Sequence, residues 1–178
     1  MTIWVSSRFH APDLARKIGA RRAVSLLAPY DTFPVLGDLT DDDHLKLALD
    51  DVDFAEDGLE PPQKAHVQRL ISFVSEWDKS APLLIHCWAG VSRSSASAFI
   101  TACAHNPEAD EADLARILRK ASATAKPNPR IIAFADEILG RDGRMIEAVD
   151  GMGSNVFTEQ AEPFSIPSAY DTVRGRWV

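Results

Sequence analysis

A cysteine and an arginine six positions apart, Cys87 and Arg93, are the residues of this chain best placed to do chemistry. They belong to the stretch Leu83-Leu84-Ile85-His86-Cys87-Trp88-Ala89-Gly90-Val91-Ser92-Arg93-Ser94. Its opening apolar run reads as a buried strand. From Ser95 to His105, Ala96, Ala98, Phe99, Ile100, Ala102 and Cys103 make a helix apolar nearly all round, the pattern of a central, buried helix. A thiol therefore ends a strand, an arginine stands at a helix N-terminus, and five residues lie between them. A helix N-terminus presents unpaired N–H groups and the positive end of a dipole, and amides curled in a loop form a nest that also prefers anions. A free thiol titrates near about 8.5, whereas thiols in such surroundings titrate at roughly 3.5–7.5. A guanidinium adds a planar fork that matches two phosphate oxygens. A thiolate beneath an oxyanion cradle is equipped for phosphoryl transfer through a covalent cysteinyl-phosphate. Taken alone, the cysteine also has a plain reading as a buried structural residue.

His86-Cys87, the five residues that follow, Arg93 and Ser94 resemble the signature loop of the cysteine-based protein tyrosine phosphatases. Ala89-Gly90 and the run Ser92-Arg93-Ser94 are most similar to the dual-specificity branch. The resemblance implies Cys87 as nucleophile and Arg93 as the residue that binds phosphate and stabilises its charge in the transition state. It implies that the backbone of Trp88, Ala89, Gly90, Val91, Ser92 and Arg93 forms the phosphate cradle, and that the Ser94 hydroxyl stabilises the departing thiolate. His86 is expected to shape the loop by hydrogen bonding, and Trp88 to pack beneath it as core rather than wall a pocket. The general acid is implied to be an aspartate on an upstream loop, for which Asp50, Asp51, Asp53, Glu56 and Asp57 compete. Asp50 and Asp51 close a predicted strand, and the resemblance to the dual-specificity branch, where the acid follows that strand, makes Asp51 the first choice, 87 − 51 = 36 residues before the cysteine. Asp57, 87 − 57 = 30 residues before it, opens Asp57-Gly58-Leu59-Glu60-Pro61-Pro62, a form seen in other branches, and is the alternative. The same carboxylates match no calcium-loop template, and cysteine-based phosphoryl transfer needs neither metal nor cofactor.

Around these residues the pattern predicts an α/β domain over 1–150, and the resemblance implies a three-layer structure with a mostly parallel central sheet flanked by helices. Strands are expected over Ile3–Ser6, Ala23–Leu27 and residues 44–49, where Leu45, Leu47 and Leu49 alternate with polar or small neighbours. Helices are expected over 11–18 and around Val67, Leu70, Ile71, Val74 and Trp77, which fall at i, i+3, i+4, i+7 and beyond. Others follow over Leu114, Ile117 and Leu118, from Pro129 behind an Asn128 cap to Gly140, and over 144–149. Residues 151–178 lack a period. Phe157, Phe164, Tyr170 and Trp177 make them more apolar than a solvated tail needs, so an arm that packs on the body is expected.

At 178 residues the chain can bury a sizeable core. A net charge of −7 argues against nucleic acid or an acidic membrane as the main partner. Cys87 and Cys103, the two cysteines, suit a reducing, cytoplasmic setting better than a disulfide framework. The variable loop positions Trp88, Val91 and Ser92 hold no lysine, against an inositol-lipid substrate. The expected partner is a phosphorylated protein or a small phosphoester. The competing readings are a phosphate-binding module without turnover and a sulfur-transfer enzyme; oligomeric state is not legible.

Overall fold

The computed structural model describes every residue except Glu56. Four parallel strands make its centre: β1 (Thr2–Ser7), β2 (Arg22–Leu27), β3 (His44–Ala48) and β4 (Leu83–Cys87). The sheet order is β3-β2-β4-β1-β5, and β5 (Phe164–Pro167) runs antiparallel to β1. Helix α1 (Ala11–Ile18) covers one face, where Ala11, Leu14 and Ala15 pack with Ala23, Leu84 and Leu36. The other face carries α2 (Lys64–Ser75), α3 (Arg93–His105), α4 (Glu111–Ala121), α5 (Pro129–Leu139) and α6 (Arg144–Asp150). The two clusters follow strand alternation: Leu83, Ile85 and Cys87 face the helical layer, while Leu84 faces α1. The expected three-layer α/β architecture is the observed one.

Helix α3 is buried on all sides from Arg93 to Cys103, as its composition requires, and starts two residues earlier than the apolar pattern indicated. Asp110 caps α4 through the Ala112 amide, and Asn128 caps α5 through the Ile131 amide. Residues beyond 150 contribute the edge strand β5, with Phe164 and Ile166 in the core. A short hairpin follows, β6 (Tyr170–Asp171) with β7 (Arg176–Trp177), whose two aromatic rings meet edge to face. Phe157 departs from the expectation for this arm, being 85% exposed. The C-terminal ends of the four parallel strands lie along one edge of the sheet, and the loops that follow them meet there. Crevices at that edge are where open α/β sheets bind ligands.

Candidate active site

Cys87 ends β4 and is 1% exposed. Two groups reach its sulfur. The Gly90 N–H donates to Sγ at 3.3 Å, and Ser94 Oγ lies 3.1 Å away in the first turn of α3. The loop between them is fastened by its carbonyls. Trp88 O accepts from the Arg8 amide just past β1, Ala89 O from Ala161, Val91 O from Lys126, and Ser92 O from Asn128. A trans peptide points its C=O and N–H in opposite directions, and there is no cis bond among the described residues. Each carbonyl drawn outward therefore turns the next amide, at 89, 90, 92 and 93, toward the interior of the loop. Gly90 is at φ 78°, and a Cβ there would lie 2.7 Å from Ser7 N, so only glycine fits against β1.

Arg93 is buried and its Nη1 donates to Leu49 O at 2.7 Å, which anchors the guanidinium to the end of β3. Its Nε is buried without a hydrogen-bond partner among the described residues and lies 3.7 Å from Asp51 Oδ2, an ion-pair distance too long for a hydrogen bond. An unpaired buried guanidinium N–H is costly and invites an anion. Arg93 and Asp51 line a cleft of about 360 Å³ with Ala28, Tyr30, Leu59 and Trp88. A larger cavity of about 570 Å³ lies elsewhere, near α1 and the end of α2; Arg21, Arg22, Asp38, Asp43, Glu76 and Asp78 give its wall both signs of charge, and it contains no thiol.

Residues 56–126 match the protein-tyrosine phosphatase family model. With the sheet and loop already described, that match supports a phosphoric monoester hydrolase of the cysteine-based protein tyrosine phosphatase type. The fold is similar to solved dual-specificity phosphatase structures. Human DUSP28 is 18% identical with a TM-score of 0.59, over 77% of this chain and 87% of that one. The human tyrosine phosphatase-like serine/threonine/tyrosine-interacting protein is 15% identical with a TM-score of 0.60, over 78% and 91%. PTPMT1 in complex with PI(5)P is 15% identical with a TM-score of 0.54, over 78% and 90%. No curated protein matches in sequence.

The candidate acids part company in the structure. Asp51 enters the cleft; its Oδ1 accepts from Ser92 Oγ at 2.6 Å and from Asn128 Nδ2 at 3.1 Å. Asp50 also borders the cleft, but its carboxylate accepts from the Glu60 amide at 2.8 Å while its own N–H donates to Glu60 O. That exchange closes the 50–60 loop. Asp53 accepts from Asn128 Nδ2 at 3.4 Å, Asp57 is exposed and does not border the cleft, and Glu56 lies outside the described residues. Among the described residues no cluster of His, Cys, Asp and Glu is arranged to hold a metal, and no helix is long and apolar enough to cross a membrane.

One expectation is corrected. Trp88 is not core: it is 42% exposed, borders the cleft, and takes the edge of Phe9 at 5.4 Å between ring centroids. At Gly90 the loop lies directly against β1 backbone of Ser6 and Ser7. His86 is fully buried. Its Nε2 shares Ser25 Oγ, at 2.5 Å, with His44 Nε2 at 2.6 Å, and its Nδ1 faces Cys87 O at 3.4 Å. A neutral chain satisfies all three groups. His44 donates to Ser25, Ser25 donates to His86, and His86 donates to the Cys87 carbonyl. Burial pushes both imidazoles down to about 4, keeping them neutral. Sequence reasoning missed His44, Ser25 and the second role of Asn128. The Pro127-Asn128-Pro129 run signalled a cap, but nothing local signals that the same amide reaches 77 residues back to Asp51.

Proposed function

We propose that the chain hydrolyses aryl phosphate monoesters, phosphotyrosine in a protein above all, through a cysteinyl-phosphate on Cys87. The observation that carries this reading is Arg93 Nε, buried without a hydrogen-bond partner among the described residues, six positions after the thiol that the Gly90 N–H addresses. In the first step Cys87 Sγ attacks phosphorus, the P–O ester bond breaks, and Asp51 delivers a proton to the leaving oxygen. In the second, water attacks phosphorus and gives its proton to Asp51, the P–S bond breaks, and Ser94 Oγ donates to the departing thiolate. Arg93 and the inward-facing amides hold the equatorial oxygens throughout. Asp51 must first give up the bond from Ser92 or Asn128, and a bound ester that draws Ser92 or Arg93 toward phosphate supplies the reason.

The walls favour an aromatic ester. Trp88 braced by Phe9, and Tyr30 at 81% exposure, present ring surface at the mouth. The cleft lining holds Asp31, Asp50 and Asp51 and no lysine, a poor match to a multiply phosphorylated headgroup. The catalytic domain is proposed as residues 1–150, with residues 151–178 as an arm that packs on it. The test is hydrolysis of an aryl phosphate by wild type, Cys87→Ser, Asp51→Asn and Asp57→Asn. Cys87→Ser is expected to lose about 10⁴-fold or more, and Asp51→Asn roughly 10²–10⁴-fold together with the alkaline limb of its pH profile. Wild-type turnover no faster than Cys87→Ser sinks the enzyme mechanism; a loss confined to Asp57→Asn moves the acid there. A higher kcat/KM on phosphoserine peptides or phosphoinositides than on phosphotyrosine peptides overturns the substrate class.

A further inference from the structure

We infer that the C-terminal arm works on the thiol: the Ala161 amide holds the one peptide plane of the signature loop that hydrogen-bonds Cys87. This rests on the reading of Cys87 as nucleophile. Ala89 O and Gly90 N–H belong to the same peptide unit. The Ala161 N–H takes the carbonyl end at 2.8 Å, and the amide end donates to Cys87 Sγ at 3.3 Å. Because the peptide is planar, the two bonds are set by a single orientation. Fixing one end on the arm aims the other at sulfur.

The arm is itself fixed on both sides of this contact. Five residues before Ala161, the Val156 amide donates to Ala123 O at 2.9 Å. Three residues after it, β5 begins and adds to the outer edge of β1, with Phe164 and Ile166 buried and Ser168 bonded through N and Oγ to Met1 O. Ala161 is 2% exposed. The clasp therefore hangs from a packed strand rather than a free tail. The other three carbonyl anchors of the loop, from Arg8, Lys126 and Asn128, come from the body of the domain. The Ala89 anchor alone among these four comes from residues beyond 150. Ala161 touches neither phosphate nor sulfur and acts as a positioning residue.

The test uses the full chain with Ala161→Pro, which removes the donor. Glu162→Pro stiffens the arm next door but keeps the donor, and Ala161→Ser also keeps it. The readout is the rate at which iodoacetamide alkylates Cys87 at pH 6 relative to pH 9, alongside kcat and KM for an aryl phosphate. Losing an aimed amide from a thiolate should lower the pH 6 to pH 9 ratio about tenfold in Ala161→Pro, with kcat falling and KM little changed. Glu162→Pro and Ala161→Ser should match wild type. An unchanged ratio in Ala161→Pro, or an equal drop in Glu162→Pro, overturns the inference. Alkylation reads the sulfur whether or not the chain turns over, so failure of the proposed reaction and failure of the clasp are told apart. If Ala161→Pro does not fold, amide exchange on wild type decides: slow exchange at both Ala161 and Gly90 supports the clasp, and exchange at Ala161 as fast as in an open loop overturns it.

Discussion

Two loops meet at the cleft, and they are held in different ways. The signature loop from Trp88 to Ser92 is fastened by backbone. Four of its carbonyls accept from amides of three separate segments, and its glycine lies against β1. The loop from Asp50 to Glu60 is fastened mainly by side chains. Asp50 grips the Glu60 amide, Ser92 Oγ holds Asp51, and Asn128 Nδ2 spreads over Asp51 Oδ1, Val52 O and Asp53 Oδ1. A backbone-fastened loop has one shape, as anion binding by preorganised amides requires. A side-chain-fastened loop can exchange partners, and a carboxylate that must give and take a proton has to do so.

The strongest test of the rigid half is Gly90→Ala. A Cβ at position 90 would lie 2.7 Å from Ser7 N and 2.8 Å from Ser6 C, both backbone atoms that cannot swing aside. The loop must move, and with it the Gly90 N–H that addresses sulfur. The expected loss is roughly 10²–10³-fold in kcat, the scale for removing one preorganised donor. Steady-state kinetics on an aryl phosphate measure it, with a thermal melt to confirm folding. Near-wild-type turnover would mean that β1 does not set the loop's shape, and the contrast between the loops would collapse.

The same difference explains how much was legible in advance. Cys87, Gly90, Arg93 and Ser94 announce themselves because a backbone cradle needs particular residue types at fixed spacing, all within eight positions. The α5 cap followed from Asn128-Pro129 for the same local reason, while the parallel sheet was implied by the resemblance that the loop carries. The acid loop offered five carboxylates and no rule of spacing, because its geometry depends on Asn128, which lies 77 residues from Asp51 in sequence. Strand β5 is four residues long and shows only Phe164 and Ile166 in alternation, too short to stand out before its partner β1 is known. The Ala161 clasp involves a backbone amide and leaves no mark on residue type at all. Trp88 departs from the expectation because an indole is usually core, whereas here it borders the cleft against Phe9.

A milder test addresses the exchangeable half. Asn128→Ser keeps a side chain able to cap α5 but removes the Nδ2 that spans Asp51, Val52 and Asp53. Asn128→Ala removes both functions. We expect Asn128→Ser to lower kcat about tenfold, as one lost hydrogen bond to a charged group does, with little change in KM. Asn128→Ala should add a loss of about 1 kcal/mol in stability from the missing cap. Denaturant midpoints and kinetics on the two variants separate the roles. A kcat unchanged in Asn128→Ser would show that Ser92 and Arg93 suffice to place Asp51.

The smallest effect at neutral pH concerns what lies beneath both loops. His44 begins β3, which leads into the acid loop, and His86 precedes Cys87; Ser25 joins them. Burial lowers both imidazoles to about 4, against 6.5 for the unfolded chain. Above pH 6.5 folded and unfolded chains both hold neutral rings, so this contribution is fully present. Between about 6.5 and 4 the unfolded chain binds protons that the folded chain does not, so stability falls as pH falls through that window. His66 and His105, also lowered by burial, add to the slope. The total is of order a few kcal/mol, since a tenfold change in a proton-binding constant is worth about 1.4 kcal/mol and the two rings share one hydroxyl. Urea unfolding of the wild type at pH 7, 6 and 5 should show the midpoint dropping. In His44→Gln, which can still donate to Ser25, the drop should be shallower, while aryl phosphatase activity at pH 7 stays close to wild type because the backbone anchors of the signature loop do not titrate. A pH slope unchanged by His44→Gln would place the acid-sensitive burial elsewhere. A large loss of activity in the same variant would mean that the signature loop leans on a side-chain network after all, as the acid loop does.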